Sequence, residues 1–150
     1  MASNASVNGT CESMYNKIVK SDDMMKFHLD IADTGTNVIR AYGPGQVTIN
    51  ERVYQSSVIV TPSRIITDWS PCVFADLERT HFDEIVALDP EVVILGTGGH
   101  LRFPNPADTR PLIHAQVGLE VMDTGAACRT YNILMSEGRK VVAALLPIES

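Results

Sequence analysis

Three apolar runs in the second half of the chain, EVVILG (91–96), GLEVMD (118–123) and KVVAALLP (140–147), are separated by segments with helical spacing. Each run is too short for a buried helix and reads as a buried strand. Strands that alternate with helices call for a sheet covered by helices, which constrains the fold more than any other feature of the sequence. The intervening segments carry their own punctuation. Thr80-His81-Phe82-Asp83 opens a helix with Phe82, Ile85 and Val86 on one face, and Thr80 is expected to cap it. Asp89–Pro90 ends that helix, because the residue before proline is pushed out of helical geometry. Residues 109–117 read as a short helix with Pro111 in its first turn, closed by Gly118. A longer helix covers AACRTYNILMSE (126–137), with Thr124 expected as its cap.

The first half reads differently. QVTINERVYQSS alternates polar and apolar residues around Asn50-Glu51-Arg52, which predicts a hairpin of about 46–50 and 53–57. KFHLDI, SVIVTP and RIITDW read as extended pieces, the last two separated by Pro62. The expected fold class is therefore α/β, with a mixed sheet, flanking helices and a small antiparallel layer. Residues 1–24 are polar, rich in Ser and Asn, and read as a disordered extension with a short helical turn near 14–19. Residues 25–150 then form one domain.

Composition bounds the function. A net charge of -6 provides no basic footprint for nucleic acid or anionic lipid. No apolar run approaches the ~18 residues of a membrane helix, so no membrane insertion is expected. The first arginine is Arg40, which makes a poor mitochondrial presequence, and the expected location is the cytoplasm. Cys11, Cys72 and Cys128 are odd in number and widely spaced, which fits reduced thiols. The four histidines lack zinc-like spacing, and neither a metal nor a cofactor is expected.

The candidate site begins with Gly96-Thr97-Gly98-Gly99. A dinucleotide fingerprint needs a third glycine and an immediate helix, and here the chain instead continues through Leu101, Arg102, Phe103, Pro104, Asn105 and Pro106. The turn is thus a strand exit whose amides could also form a shallow anion nest. If the strands at 92–95 and 119–122 are parallel neighbours, the helix start at Thr124 opens at the same sheet edge. Thr124 and Arg129 would then face Gly96–Gly99 around a small anion. Arg129, Asn132 and Ser136 share one helix face, which reads either as a pocket wall or as a solvated surface. Cys128 reads as a small packing residue rather than a reactive thiolate. Glu137 and Arg139 flank Gly138 and read either as partners of groups near the helix end or as a turn ion pair, and Trp69 reads as a core-edge anchor with an interface role open. No nucleophile or general base can be nominated.

AYGPGQVTINERVY, VVILGTGG, VMDTGAACRTYNILMSEGRKVVAALLP and the tryptophan after a short strand together resemble a small family long described as of unknown function. Its members include a mitochondrial complex I assembly factor and an adipogenesis-associated cytoplasmic protein, and its founding structure came from a methanogen. The resemblance spans roughly residues 26–148. It falls on Gly96, Thr97, Gly98, Thr124, Ala127, Arg129, Thr130, Tyr131, Asn132, Glu137 and Arg139. It implies a three-layer fold and association with respiratory-complex assembly or unassigned roles, without a family-wide reaction. The expected function is a non-catalytic binding or assembly module with a protein partner. The alternative is a small-molecule binder or enzyme with an anion between Gly96–Gly99 and Thr124–Arg129.

Overall fold

The computed structural model describes residues 35–149 together with the backbone of a two-residue strand, β1 (Met25–Lys26). The expected extension 1–24 and the rest of KFHLDI lie outside the described residues. In the antiparallel sheet β1 is followed by β2 (Ile39–Gly43), β3 (Gln46–Ile49) and β4 (Arg52–Tyr54), paired in chain order. The second sheet holds β5 (Val58–Val60), β6 (Ile65–Ile66), β7 (Val92–Gly96), β8 (Gly118–Met122) and β9 (Val141–Leu145) in the order β6-β5-β9-β7-β8. β7 is parallel to both β8 and β9, whereas β5 runs antiparallel to β6 and β9, so the sheet is mixed as expected.

Each central strand buries both faces, which explains its unbroken apolar run. Val92, Ile94, Val141, Ala143 and Leu145 face one core together with Val38, Ile39, Val47 and Ile49 of the antiparallel layer. Val93, Leu95, Val142, Ala144 and Leu146 face a second core with Trp69, Phe82, Ile85 and Leu112. The helices divide between these faces. α1 (Arg79–Val86) and α2 (Arg110–His114) contribute to the second core, and α3 (Thr124–Ser136) contributes Ala127, Cys128, Tyr131 and Met135 to the first. The result is a mixed sheet with helices on both faces and an added antiparallel layer against α3.

Several local expectations are corrected. β2 was missing from the sequence reading, because IRAYG is short and carries a register shift between Ile39 and Ala41. β4 stops at Tyr54 rather than 57, since the chain must leave one sheet and enter the other at Val58. Glu78, not Thr80, is the N-cap of α1, and its N–H is bonded 3.0 Å to His81 Nδ1. Gln116, with φ 58, turns the chain after α2, while Gly118 already belongs to β8. Asp123, not Thr124, caps α3 by accepting a 2.9 Å bond from Ala126 N–H. The Thr124 hydroxyl is committed elsewhere, as described below.

Candidate functional site

β7 leads through α2 to β8, and β8 leads through α3 to β9 on the other side of β7. Because α2 and α3 pack on opposite faces, the carboxyl ends of β7 and β8 form a topological switch point. Open α/β sheets favour ligands at such a place. The sequence expectation of parallel neighbours holds here, with Val92–Gly96 in register with Gly118–Met122.

The chain itself fills much of this crevice. Thr124, fully buried, accepts a 2.8 Å hydrogen bond from Gly98 N–H through Oγ1 and donates a 2.6 Å bond from the same hydroxyl to Leu146 O. Its own N–H donates to Gly98 O at 2.8 Å. Thr97 N–H donates to Met122 O at 2.9 Å, and its hydroxyl donates to His100 O at 2.6 Å. Gly96 permits the close approach: a Cβ there would stand 2.9 Å from Thr124 Oγ1 and 3.0 Å from Thr124 Cα. Gly98 has φ +99, a left-handed conformation that a side chain disfavours. The loop is thereby stitched to β8, α3 and the segment after β9.

The remaining candidates separate into distinct settings. Gly99 is exposed and donates to Glu149 Oε1 at 2.5 Å. Arg129 is exposed, but its guanidinium donates to the Tyr42 hydroxyl and lies 5.8 Å from the Tyr42 ring centroid. Asn132 is buried beneath the same helix. Its Oδ1 accepts from Ile39 N–H at 3.0 Å and its Nδ2 donates to Ile39 O at 2.8 Å. Both ends of that amide therefore hold β2 against α3. Tyr131 is fully buried, with its hydroxyl donating to Asn37 O at 2.8 Å, and burial pushes its phenol pKa upward.

Glu137 and Arg139 do not pair in a turn. Arg139 instead reaches Glu91 at 3.1 Å, beside the Lys140–Asp89 pair at 3.2 Å. Trp69 is only 2% exposed and meets His81 edge-on at 6.1 Å, which makes it a core anchor. Cys128 is a free thiol at 0% exposure, and burial pushes its pKa up to about 12. Cys72 is disulfide-bonded, contrary to the expectation of reduced thiols, and Cys11 lies outside the described residues. Among the described residues no group of three His, Cys, Asp or Glu side chains is placed to hold a metal ion. No helix among them is long and apolar enough to cross a membrane.

Sequence reasoning missed a cavity of about 340 Å³ at the opposite edge of the sheet. It is lined by the β5–β6 turn at Thr61–Arg64, by Leu88–Pro90 before β7, and by Met135 and Gly138–Val142. With Thr36 completing the lining, segments far apart in the chain build it, so no local motif announces it. It also missed an exposed apolar pair on the loop after β7. Leu101 is 52% and Phe103 73% exposed, held by a loop with prolines at 104 and 106.

The family model described as a protein of unknown function (DUF498/DUF598) matches residues 39–146, which takes in β2 to β9 and the crevice. The chain belongs to this family. Among its relatives are proteins named NADH dehydrogenase [ubiquinone] 1 alpha subcomplex assembly factor 3. The one from Bos taurus is 31% identical over 105 residues, covering 69% of this chain and 56% of the relative. The one from Danio rerio is 33% identical over 118 residues, covering 77% of this chain and 67% of the relative. This chain thus spans little more than half of the bovine protein. A crystal structure of a protein from Bordetella parapertussis shares the fold with a TM-score of 0.72 and 40% identity, covering 77% of this chain and 98% of the other. The architecture anticipated from the family resemblance is the one observed.

Proposed function

We propose that this family member is a non-catalytic binding module of the assembly type, which holds a protein partner in work related to building a respiratory complex. The observation that carries the reading is the set of assembly-factor relatives, whose similarity runs across most of the chain. The geometry supports it in two ways. Thr124 and Gly98 close on each other at the switch point, where an enzyme of this topology would leave room for substrate. Beside that closed crevice, Leu101 and Phe103 stand in solvent on a loop that is anchored at Thr97, and exposed apolar groups of this kind mark contact surfaces. In this reading the module works in the cytoplasm.

The test is affinity purification of the tagged chain from its own host, in parallel with a Leu101→Ser/Phe103→Ser variant whose fold is checked by circular dichroism. A defined protein that co-purifies with the wild type and is depleted from the variant supports the reading. Equal recovery with both, or no stoichiometric partner, contradicts it.

A second reading places a small anion between Gly96–Gly99 and the α3 start with Arg129 as its cation, while Thr124 and Asn132, already hydrogen-bonded within the fold, support the walls. The parallel register of β7 and β8 favours it, because it brings both loops to one edge. Native mass spectrometry of wild type and a folded Arg129→Ala variant separates the two. A retained small mass that disappears in the variant supports the anion. Retention in both removes Arg129 from the site.

A further inference from the structure

The segment after β9 lies back across the end of the glycine turn. Ile148 O accepts a 2.8 Å bond from Gly45 N–H, Ile148 bridges in parallel to Pro44, and its side chain packs on the first core. This anchors the backbone and brings the next side chain, Glu149, onto the loop. One carboxylate oxygen accepts the Gly99 N–H at 2.5 Å, and the other lies 3.9 Å from the Arg102 guanidinium. A Cβ on Gly98 would stand 2.5 Å from the first of these oxygens, so a side chain there would push the carboxylate aside. Arg102 is steadied from its other side by the Phe74 ring, 6.0 Å from its centroid. Of the amides anticipated as an anion nest, Thr97 and Gly98 N–H are bonded within the fold, and Gly99 N–H already holds a carboxylate from the same chain.

That occupancy is of an exchangeable kind. The Arg102 and Glu149 side chains are 47% and 36% exposed, and exposed ion pairs of this sort hold weakly. Leu101 and Phe103 flank Arg102 on the same loop and are the more exposed part of it. A guanidinium and an amide N–H on the same loop as two exposed apolar residues are complementary to a carboxylate with apolar neighbours in its own chain. We infer that the loop from Gly99 to Phe103 docks an acidic–apolar segment of a protein partner, and that Glu149 occupies its carboxylate seat until the partner displaces it. The inference rests on the proposed function for the partner being a protein, while the chemistry of the seat is tested without that partner.

The probe is a blocked peptide, acetyl-Glu-Leu-Leu-amide, titrated into ¹⁵N-labelled full-length protein while the Gly99 and Arg102 amide resonances are followed. In Glu149→Gln both resonances should shift saturably. In the wild type the midpoint should be about tenfold higher, the factor expected when the resident occupies the seat about nine-tenths of the time. The Gln-Leu-Leu analogue should have no saturable effect, and adding Arg102→Ala to Glu149→Gln should abolish the response while the remaining resonances stay dispersed. Identical titrations of wild type and Glu149→Gln, or an equal response to the Gln peptide, would overturn the inference. Tighter binding of inorganic phosphate than of the peptide would also overturn it, by assigning the seat to a free oxyanion. Failure of co-purification with a seat that still titrates would count against the proposed function alone.

Discussion

Asn132 is the side chain on which the junction between the two sheets depends most directly. Among the described residues β1 pairs with Tyr42 and Ala41 of β2, β3 pairs with Ile39 through Ile49, and the Ile39 peptide groups are bonded to α3. The Asn132 amide satisfies both the N–H and the C=O of Ile39 across 93 residues of sequence. Asn132→Leu keeps the approximate volume and removes both partners. Each buried backbone group left unpaired costs about 1–3 kcal/mol, so the variant should lose about 2–6 kcal/mol. Domains of this size are commonly stable by only about 5–15 kcal/mol, which makes the loss a large share of the total. Urea unfolding is the assay. With a slope of about 2 kcal/mol/M, the midpoint should fall by about 1–3 M with the slope itself unchanged. Ile133→Ser, at the neighbouring exposed position, should stay within about 0.5 kcal/mol of wild type. A leucine variant as stable as wild type would refute the idea that this amide holds the antiparallel layer in place.

Other consequences follow from the same geometry. Thr124→Val should destabilise by about 2–5 kcal/mol in urea unfolding, because Gly98 N–H and Leu146 O lose their shared hydroxyl, while Thr124→Ser should recover most of it. Gly96→Ala should cost about 1–3 kcal/mol, since its methyl would press on Thr124 backbone. Cys128 should resist a thiol reagent at pH 8 in the native protein and react only on unfolding. Its folded pKa is raised to about 12, so the associated stability is present below the unfolded thiol value and is lost as pH rises toward the folded one. The Glu91 carboxylate is held below the ordinary range by the Lys140 N–H and then by the Arg139 guanidinium. Its stabilisation is present above the unfolded pKa and lost as pH falls through the folded one. The difference in melting temperature between wild type and Glu91→Gln should therefore be constant near neutrality and close on the acid side.

The order of strands and helices from residue 79 onward was legible because each element carries its own periodicity. Val92–Leu95 and Val141–Leu146 are apolar on both faces, and the sheet buries both faces. The crevice was legible as a location, since glycines after one strand and a helix start after the next must share an edge when the strands are parallel. Its internal wiring was not. Thr124 looks like a helix cap in sequence, and only its proximity to Gly98 and Leu146 diverts the hydroxyl. Asn132 sits at the spacing of Arg129 and Ser136 and so resembles a solvated or pocket-lining polar face. Its two bonds to Ile39 of β2, an element absent from the sequence reading, take it out of that face. Glu149 is fifty residues from Gly99, and neither position signals the other. Local pattern determines the elements here, and long-range hydrogen bonding determines which polar residues remain available to a ligand or partner.

The most direct test of the account is native mass spectrometry of the tagged wild-type chain, purified gently from its own host beside the Leu101→Ser/Phe103→Ser variant. The account predicts a reproducible complex with one larger protein, lost or sharply reduced in the variant while its monomer stays folded. A wild-type spectrum with no protein complex, and instead a bound small molecule that disappears in Arg129→Ala, would contradict it.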